Sequence, residues 1–137
     1  MEKTLVLIKP DGVSRGLVGE VLGRFEQKGL KISELKMMQM TDELSDRHYA
    51  EHVDKPFYPR LKAFILSGPI VAMVLEGDRA IEVVRRLVGD TDSAEAAPGT
   101  IRGDLSLSKG ENIIHASDSS ESAQRELALF FGTKVVS

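Results

Sequence analysis

Two uninterrupted apolar runs, Leu5 to Ile8 and Ile70 to Leu75, limit what this chain can fold into more than any other feature. A short run without polar alternation is the pattern of a strand buried on both faces, so both runs belong in the centre of a sheet covered on either side. Leu30 and Ile32 alternate with polar neighbours, but the alternation changes phase before Leu35 and Met37, which predicts a bulge in a longer strand. Ile113 and Ile114 read as a short fourth strand.

The covering layers are also visible. Leu17, Val18, Val21, Leu22 and Phe25 recur at helical spacing, with Gly29 as the stop. Ile81, Val84, Leu87 and Val88 repeat the pattern, with Asp78 as the expected cap and Gly89 as the end. Phe57, Leu61, Phe64 and Ile65 form a third stripe, closed by Ser-Gly-Pro. The last stripe is Ala123, Leu127, Phe130 and Phe131, and the spacing of Asp118 and Glu121 before it suggests a capping box with a carboxylate in the cap position. This order predicts an α+β fold, a ferredoxin-like sandwich with a four-stranded antiparallel sheet covered by helices. No repeat or linker interrupts it, so residues 1–137 read as a single domain. The one long stretch without periodicity, Asp90 to Glu111, is expected to be a functional loop.

Composition excludes several classes. The chain has no cysteine, which removes disulfides, thiolate nucleophiles and cysteine-bound zinc, and fits a reducing, cytoplasmic setting. The apolar residues near the N-terminus are too few for a signal sequence or membrane span, so no membrane association is expected. A formal net charge of -3, with basic residues spread along the chain, argues against dedicated nucleic-acid binding. An anionic ligand must then meet a local cluster of cations.

The chemistry centres on Asn-Ile-Ile-His-Ala-Ser-Asp, residues 112–118. A histidine at a strand end is commonly structural, but Glu126 flanks the apolar face of the last helix and can hold one imidazole nitrogen. The other nitrogen of a neutral ring is then a nucleophile near neutral pH. Lys9 ends the first strand at a Pro-Asp-Gly turn, Arg85 edges a helical stripe, and Arg102 lies in the long loop between two glycines. Each alone reads as a solvated charge; together they can hold a polyphosphate. No Walker loop is present, because Gly-Leu-Val-Gly-Glu-Val-Leu-Gly lacks the required lysine and hydroxyl.

The motifs KPDGV, HYAEHVDKPFY, SGPIVAMVLEG, APGTIRGD and NIIHASDS together resemble the nucleoside diphosphate kinase family, from Lys3 to about Phe131. The resemblance implies a phosphotransferase that moves the terminal phosphoryl group of a nucleoside triphosphate to a nucleoside diphosphate through a phosphohistidine on His115. It further implies that Glu126 and Ser117 position His115, and that Lys9, Tyr49, Arg85, Thr91, Arg102 and Asn112 contact phosphates or sugar. Phe57 would stack on the base. Mg²⁺ would arrive on the nucleotide, with no dedicated protein cage. Members assemble as tetramers or hexamers, and a homo-oligomer is expected here. Ala116 stands where many members have glycine, Leu75 where many have tryptophan, and the ending Phe-Phe-Gly-Thr-Lys-Val-Val-Ser is shorter than in longer members.

Plainer readings stand beside these. Phe57 fits a core stripe as well as a stacking platform, and Thr91 and Asn112 have turn composition. In an extended strand Asn112 would face away from His115, so it is placed at the end of the loop. Pro98 to Gly103 can be a rigid bend or a loop that presents an arginine. His48 to His52, His-Tyr-Ala-Glu-His, matches the inverted zinc-peptidase pattern, a metallohydrolase reading that lacks a third ligand. A non-catalytic nucleotide-binding module is the remaining rival.

Overall fold

A computed structural model of the chain describes residues 1–136. Ser137, the last residue of the short ending, lies outside the described residues. Four strands, β1 (Glu2–Ile8), β2 (Lys31–Gln39), β3 (Pro69–Gly77) and β4 (Ile114–Ala116), form one sheet in the order β2-β3-β1-β4. Every neighbouring pair is antiparallel, which gives the ferredoxin-like α+β sandwich. The two apolar runs take the two central positions, as their composition requires.

Residues alternate between two cores. Val6, Ile8, Val71, Met73 and Leu75 pack against α2 (Val18–Lys28) and α5 (Ala80–Val88) on one face. Leu5, Leu7, Ile70, Ala72 and Val74 face the other way, toward Tyr49, α4 (Tyr58–Ile65) and α7 (Ser120–Phe131). The expected bulge is present, as a register shift between Ile32 and Glu34 opposite β3. Gly29 ends α2 in the left-handed region, at φ 103°, where a Cβ would be unfavourable.

Several boundaries differ from the sequence reading, each for a local reason. The Pro-Asp-Gly turn after Lys9 is a short helix, α1 (Pro10–Ser14), started by a proline whose missing N–H costs nothing at that position. Asp78 does not cap α5; Glu2 of β1 instead accepts from the backbone N–H of Ile81 at 2.9 Å. Ser119, not Asp118, caps α7, its hydroxyl accepting from Ser122 N at 3.1 Å. The Phe57 stripe begins one residue later as helix, and Phe57 is exposed rather than core.

The long aperiodic stretch contains another helix, α6 (Ile101–Leu105). Thr100 caps it, accepting from Gly103 N at 2.9 Å and donating to the Ala97 carbonyl at 2.7 Å. This tight turn brings the Ala97 carbonyl oxygen to 2.0 Å from where a Cβ on Gly103 would sit. A backbone oxygen cannot swing aside, so only glycine fits. Gly103→Ala should therefore push α6 away from its neighbours and lower unfolding stability by about 2 kcal/mol or more. Urea denaturation checks this, and an unchanged midpoint would contradict the packing.

Candidate active site

Strand pairing decides where His115 points. Directly opposed residues in an antiparallel pair share a face, and His115 lies opposite Leu7. Its ring therefore joins the core of Leu5 and Leu7, below α7, while Ile114 and Ala116 join the opposite core. Glu126 comes down from α7 to meet it. The Glu126 carboxylate is 4% exposed, and its Oε1 lies 2.9 Å from His115 Nε2 and accepts from the Ser117 hydroxyl at 2.7 Å.

Burial alone would raise the Glu126 pKa, but the hydrogen bond from His115, the nearby histidine charges and the Ser117 hydroxyl outweigh it and bring it to about 2. Glu126 is thus a carboxylate near neutral pH and can only accept. Nε2 of His115 must carry the proton, which leaves the lone pair of a neutral ring on Nδ1. The side chain is about one quarter exposed and lines a cleft with Asp118 and Arg125.

The residues before His115 are held in an unfavourable backbone state. Ile113 has φ 72°, an outlier for a β-branched side chain, and it is fully buried. Three contacts enforce it: the Asp11 carboxylate accepts from Ile113 N at 3.0 Å, Lys9 N donates to Ile113 O at 2.7 Å, and its side chain packs in the core. The fourth strand consequently starts at Ile114, one residue later than its two isoleucines suggest. The kink also leaves Asn112 at the loop's end, as expected.

From there Asn112 links the other predicted residues. Its Oδ1 accepts from Lys9 Nζ at 2.8 Å and its Nδ2 donates to the Thr91 carbonyl at 2.9 Å. Burial, assisted by the charge of Arg102 and opposed by Asp11, lowers the Lys9 pKa to about 8. Arg102 is 6% exposed and lies in α6, not in an open loop between glycines. Its guanidinium donates to the carbonyls of Ile114 at 2.6 Å, Gly89 at 3.1 Å and Asn112 at 3.3 Å. Burial and the neighbouring charge of Arg85, against Asp90, lower its pKa to about 10. Arg85 donates to the Ala116 carbonyl at 3.2 Å. Arg102 is therefore held between two like charges, Lys9 before the histidine strand and Arg85 at its far end, an arrangement that an anion relieves.

Tyr49 lies on the histidine side. Its ring is buried 4.5 Å from that of His48, and burial followed by the Glu126 charge pushes its hydroxyl pKa well up. Phe57 stands at the surface, 51% exposed, 5.5 Å from the His52 ring and near Lys55. A half-exposed aromatic face suits a stacking platform better than a core position. Sequence reasoning did not assign Asp11, although it sits inside the quoted Lys-Pro-Asp-Gly motif. It also read His48 only as part of a zinc pattern.

That pattern fails structurally. Helix α3 (Asp42–His48) ends at His48, and residues 49–54 form turns, so His48 and His52 do not share a helical face. His48 instead packs edge-on against His115, with ring centroids 4.8 Å apart.

Known proteins match this fold and sequence throughout. The profile of the nucleoside diphosphate kinase family covers residues 2–136. A nucleoside diphosphate kinase of Archaeoglobus fulgidus is 62% identical over 131 residues, 96% of this chain and 87% of that one. Another from Staphylothermus marinus is 62% identical over 130 residues, 95% of this chain and 92% of that one. Among solved structures, a halophilic nucleoside diphosphate kinase from Halobacterium salinarum in complex with CDP aligns with a TM-score of 0.93 at 53% identity, covering 95% of this chain and 87% of that chain. A nucleoside diphosphate kinase family protein from Babesia bovis aligns with a TM-score of 0.94 at 51% identity, covering 98% and 90%. With a family profile over almost its whole length and relatives this similar, the chain belongs to the nucleoside diphosphate kinase family of nucleotide phosphotransferases.

Proposed function

We propose that the chain works as one domain over residues 1–137 and exchanges phosphoryl groups between nucleotides in two steps through His115. The observation that carries this reading is the Glu126 oxygen shared by His115 Nε2 and Ser117, since it leaves Nδ1 as the nucleophilic atom. In the first step the Nδ1 lone pair forms a bond to the terminal phosphorus of a nucleoside triphosphate. The bond from that phosphorus to the bridging oxygen breaks, and its electron pair leaves with the diphosphate. The charge gained by the ring is balanced by the Glu126 carboxylate through the Nε2 proton. A second diphosphate reverses the step.

Lys9, Tyr49, Arg85, Thr91, Arg102 and Asn112 contact the phosphates or sugar, and Phe57 stacks on the base. The CDP held by the Halobacterium salinarum relative supports a nucleoside diphosphate as ligand. Mg²⁺ would enter as part of the substrate and would supply charge neutralisation on its phosphates. Charge neutralisation by the buried cations suits transfer of a phosphoryl group, whose transition state carries charge on its oxygens. We place the enzyme in the cytoplasm as a homo-oligomer of four or six subunits. The absence of any helix long and apolar enough to cross a membrane among the described residues fits this, as does the outer edge of β2, where Leu35 and Met37 are exposed.

Incubation with ATP and Mg²⁺ should add one phosphoryl group to the intact mass, and a different diphosphate should remove it. His115→Ala should lose the adduct and nearly all exchange while still binding nucleotide. The adduct should be acid-labile, as a phosphorus–nitrogen bond is; an acid-stable adduct, or one that survives His115→Ala, would contradict the mechanism.

Lys9 gives a pH-dependent test. Its folded pKa of about 8 means that above this pH the free enzyme holds it neutral, while an arriving diphosphate favours the charged form. Diphosphate affinity should therefore fall as pH rises through about 8, and binding about one unit higher should take up close to one proton. Calorimetric titration in buffers of different ionisation enthalpy measures this uptake. Lys9→Arg should abolish it, and binding without proton uptake in the unmodified protein would remove Lys9 from the phosphate site.

A further inference from the structure

His48 has no role in the transfer described above, yet its ring is 4% exposed and neither ring nitrogen has a hydrogen-bond partner. Buried polar groups are nearly always paired, so an orphaned imidazole at the end of an active-site helix needs a reason. Tyr49, His115 and Phe130 enclose it with edge-on ring contacts at 4.5, 4.8 and 5.2 Å. One ring nitrogen of His48, one of His115 and a carboxylate oxygen of Glu126 lie within 4.8 Å of one another.

We propose that these three side chains form a site for a borderline transition-metal dication, Zn²⁺ in the first instance, whose occupancy switches off the nucleophile. Two imidazoles and one carboxylate are a zinc donor set and a poor Mg²⁺ one, because Mg²⁺ favours an octahedral shell of oxygens. Ligands about 2.1 Å from a tetrahedral ion are about 3.4 Å apart, so the triangle, whose atoms lie within 4.8 Å of one another, closes with a contraction of up to about 1.4 Å along its longest edge. No hydrogen bond of His48 has to be broken for this.

The approach is a cleft of about 160 Å³ lined by His48, His115, Glu126, Glu51, Asp118 and Arg125 among others. Two carboxylates favour a cation at its mouth and one guanidinium opposes it. A water or anion from the cleft can fill the fourth coordination position.

Inhibition follows from proton placement on His115. If the metal takes Nε2, the single proton of the neutral ring moves to Nδ1, which then has no lone pair for attack. If the metal takes Nδ1, it occupies the nucleophilic atom itself. Either mode masks His115, and the inhibitory part of the proposal rests on His115 being the phosphoryl acceptor.

The test measures Zn²⁺ binding to the untagged protein without nucleotide, by equilibrium dialysis and metal analysis, beside the rate of adduct formation from ATP in excess Mg²⁺. His48→Phe keeps an aromatic ring in the cluster and removes both nitrogens. The unmodified protein should bind one Zn²⁺ per chain, and Zn²⁺ should slow adduct formation at least tenfold, reversibly on adding a zinc-selective chelator. His48→Phe should lose that binding and form its adduct at the same rate with or without Zn²⁺. Failure of the unmodified protein to bind Zn²⁺, or unchanged binding by His48→Phe, would overturn the site. Zn²⁺ bound through His48 without any slowing of the adduct would overturn the inhibition. Absence of an adduct in the zinc-free control would count against the phosphohistidine reading alone, since metal binding is read separately.

Discussion

The arrangement around His115 depends on one buried carboxylate oxygen. Glu126 Oε1 takes a hydrogen bond from the Ser117 hydroxyl and lies against His115 Nε2, and an ionised carboxylate left unpaired at this depth would be strongly destabilising. The sheet and helix are therefore tied at the point where we place the chemistry. Helix α7 delivers the carboxylate because Ser119 fixes its start and Leu127 and Phe130 bury its lower face against β1 and α3. Strand β4 delivers the imidazole because pairing with β1 assigns alternate residues to opposite cores. One interaction thus selects the tautomer, fixes the ring and leaves a single nitrogen for a substrate.

The proposed phosphate side uses the same economy of position. Lys9 leaves the end of β1, Asn112 leaves the kink at Ile113, and Arg102 is fixed through three carbonyls that belong to the segments around them. Arg102 is as much a tie between α6, the end of α5 and the start of β4 as it is a cation. Its removal would disturb both roles together. Burial, and after it the nearness of like charges, lowers the pKa values of Lys9 and Arg102, a cost that an anion beside them would offset.

Much of this was legible in the chain. Apolar runs identify strands with both faces covered, and the phase change along β2 marks its bulge, because burial leaves little freedom in side-chain direction. The pairing of His115 with Glu126 was readable from the stripe of α7. Boundaries set by tertiary contacts were not: Glu2 supplies a partner at the start of α5 from far away in sequence, and α6 is too short to show a periodicity. Phe57 follows the spacing of a core residue but sits at the helix start, where the chain has not yet turned inward. The left-handed backbone of Ile113 was also invisible, since nothing in an isoleucine signals positive φ; Asp11 and Lys9 impose it from another element.

The most direct measurement is the position of phosphorus on the ring. With ¹⁵N-labelled histidine in the phosphorylated protein, one-bond coupling between phosphorus and nitrogen identifies the bonded atom. Glu126 engages Nε2, so phosphorus should couple to Nδ1, with Nε2 still protonated and hydrogen-bonded. Phosphorus on Nε2 would mean that the Glu126 contact does not orient the nucleophile, and the central role given to that carboxylate would be wrong.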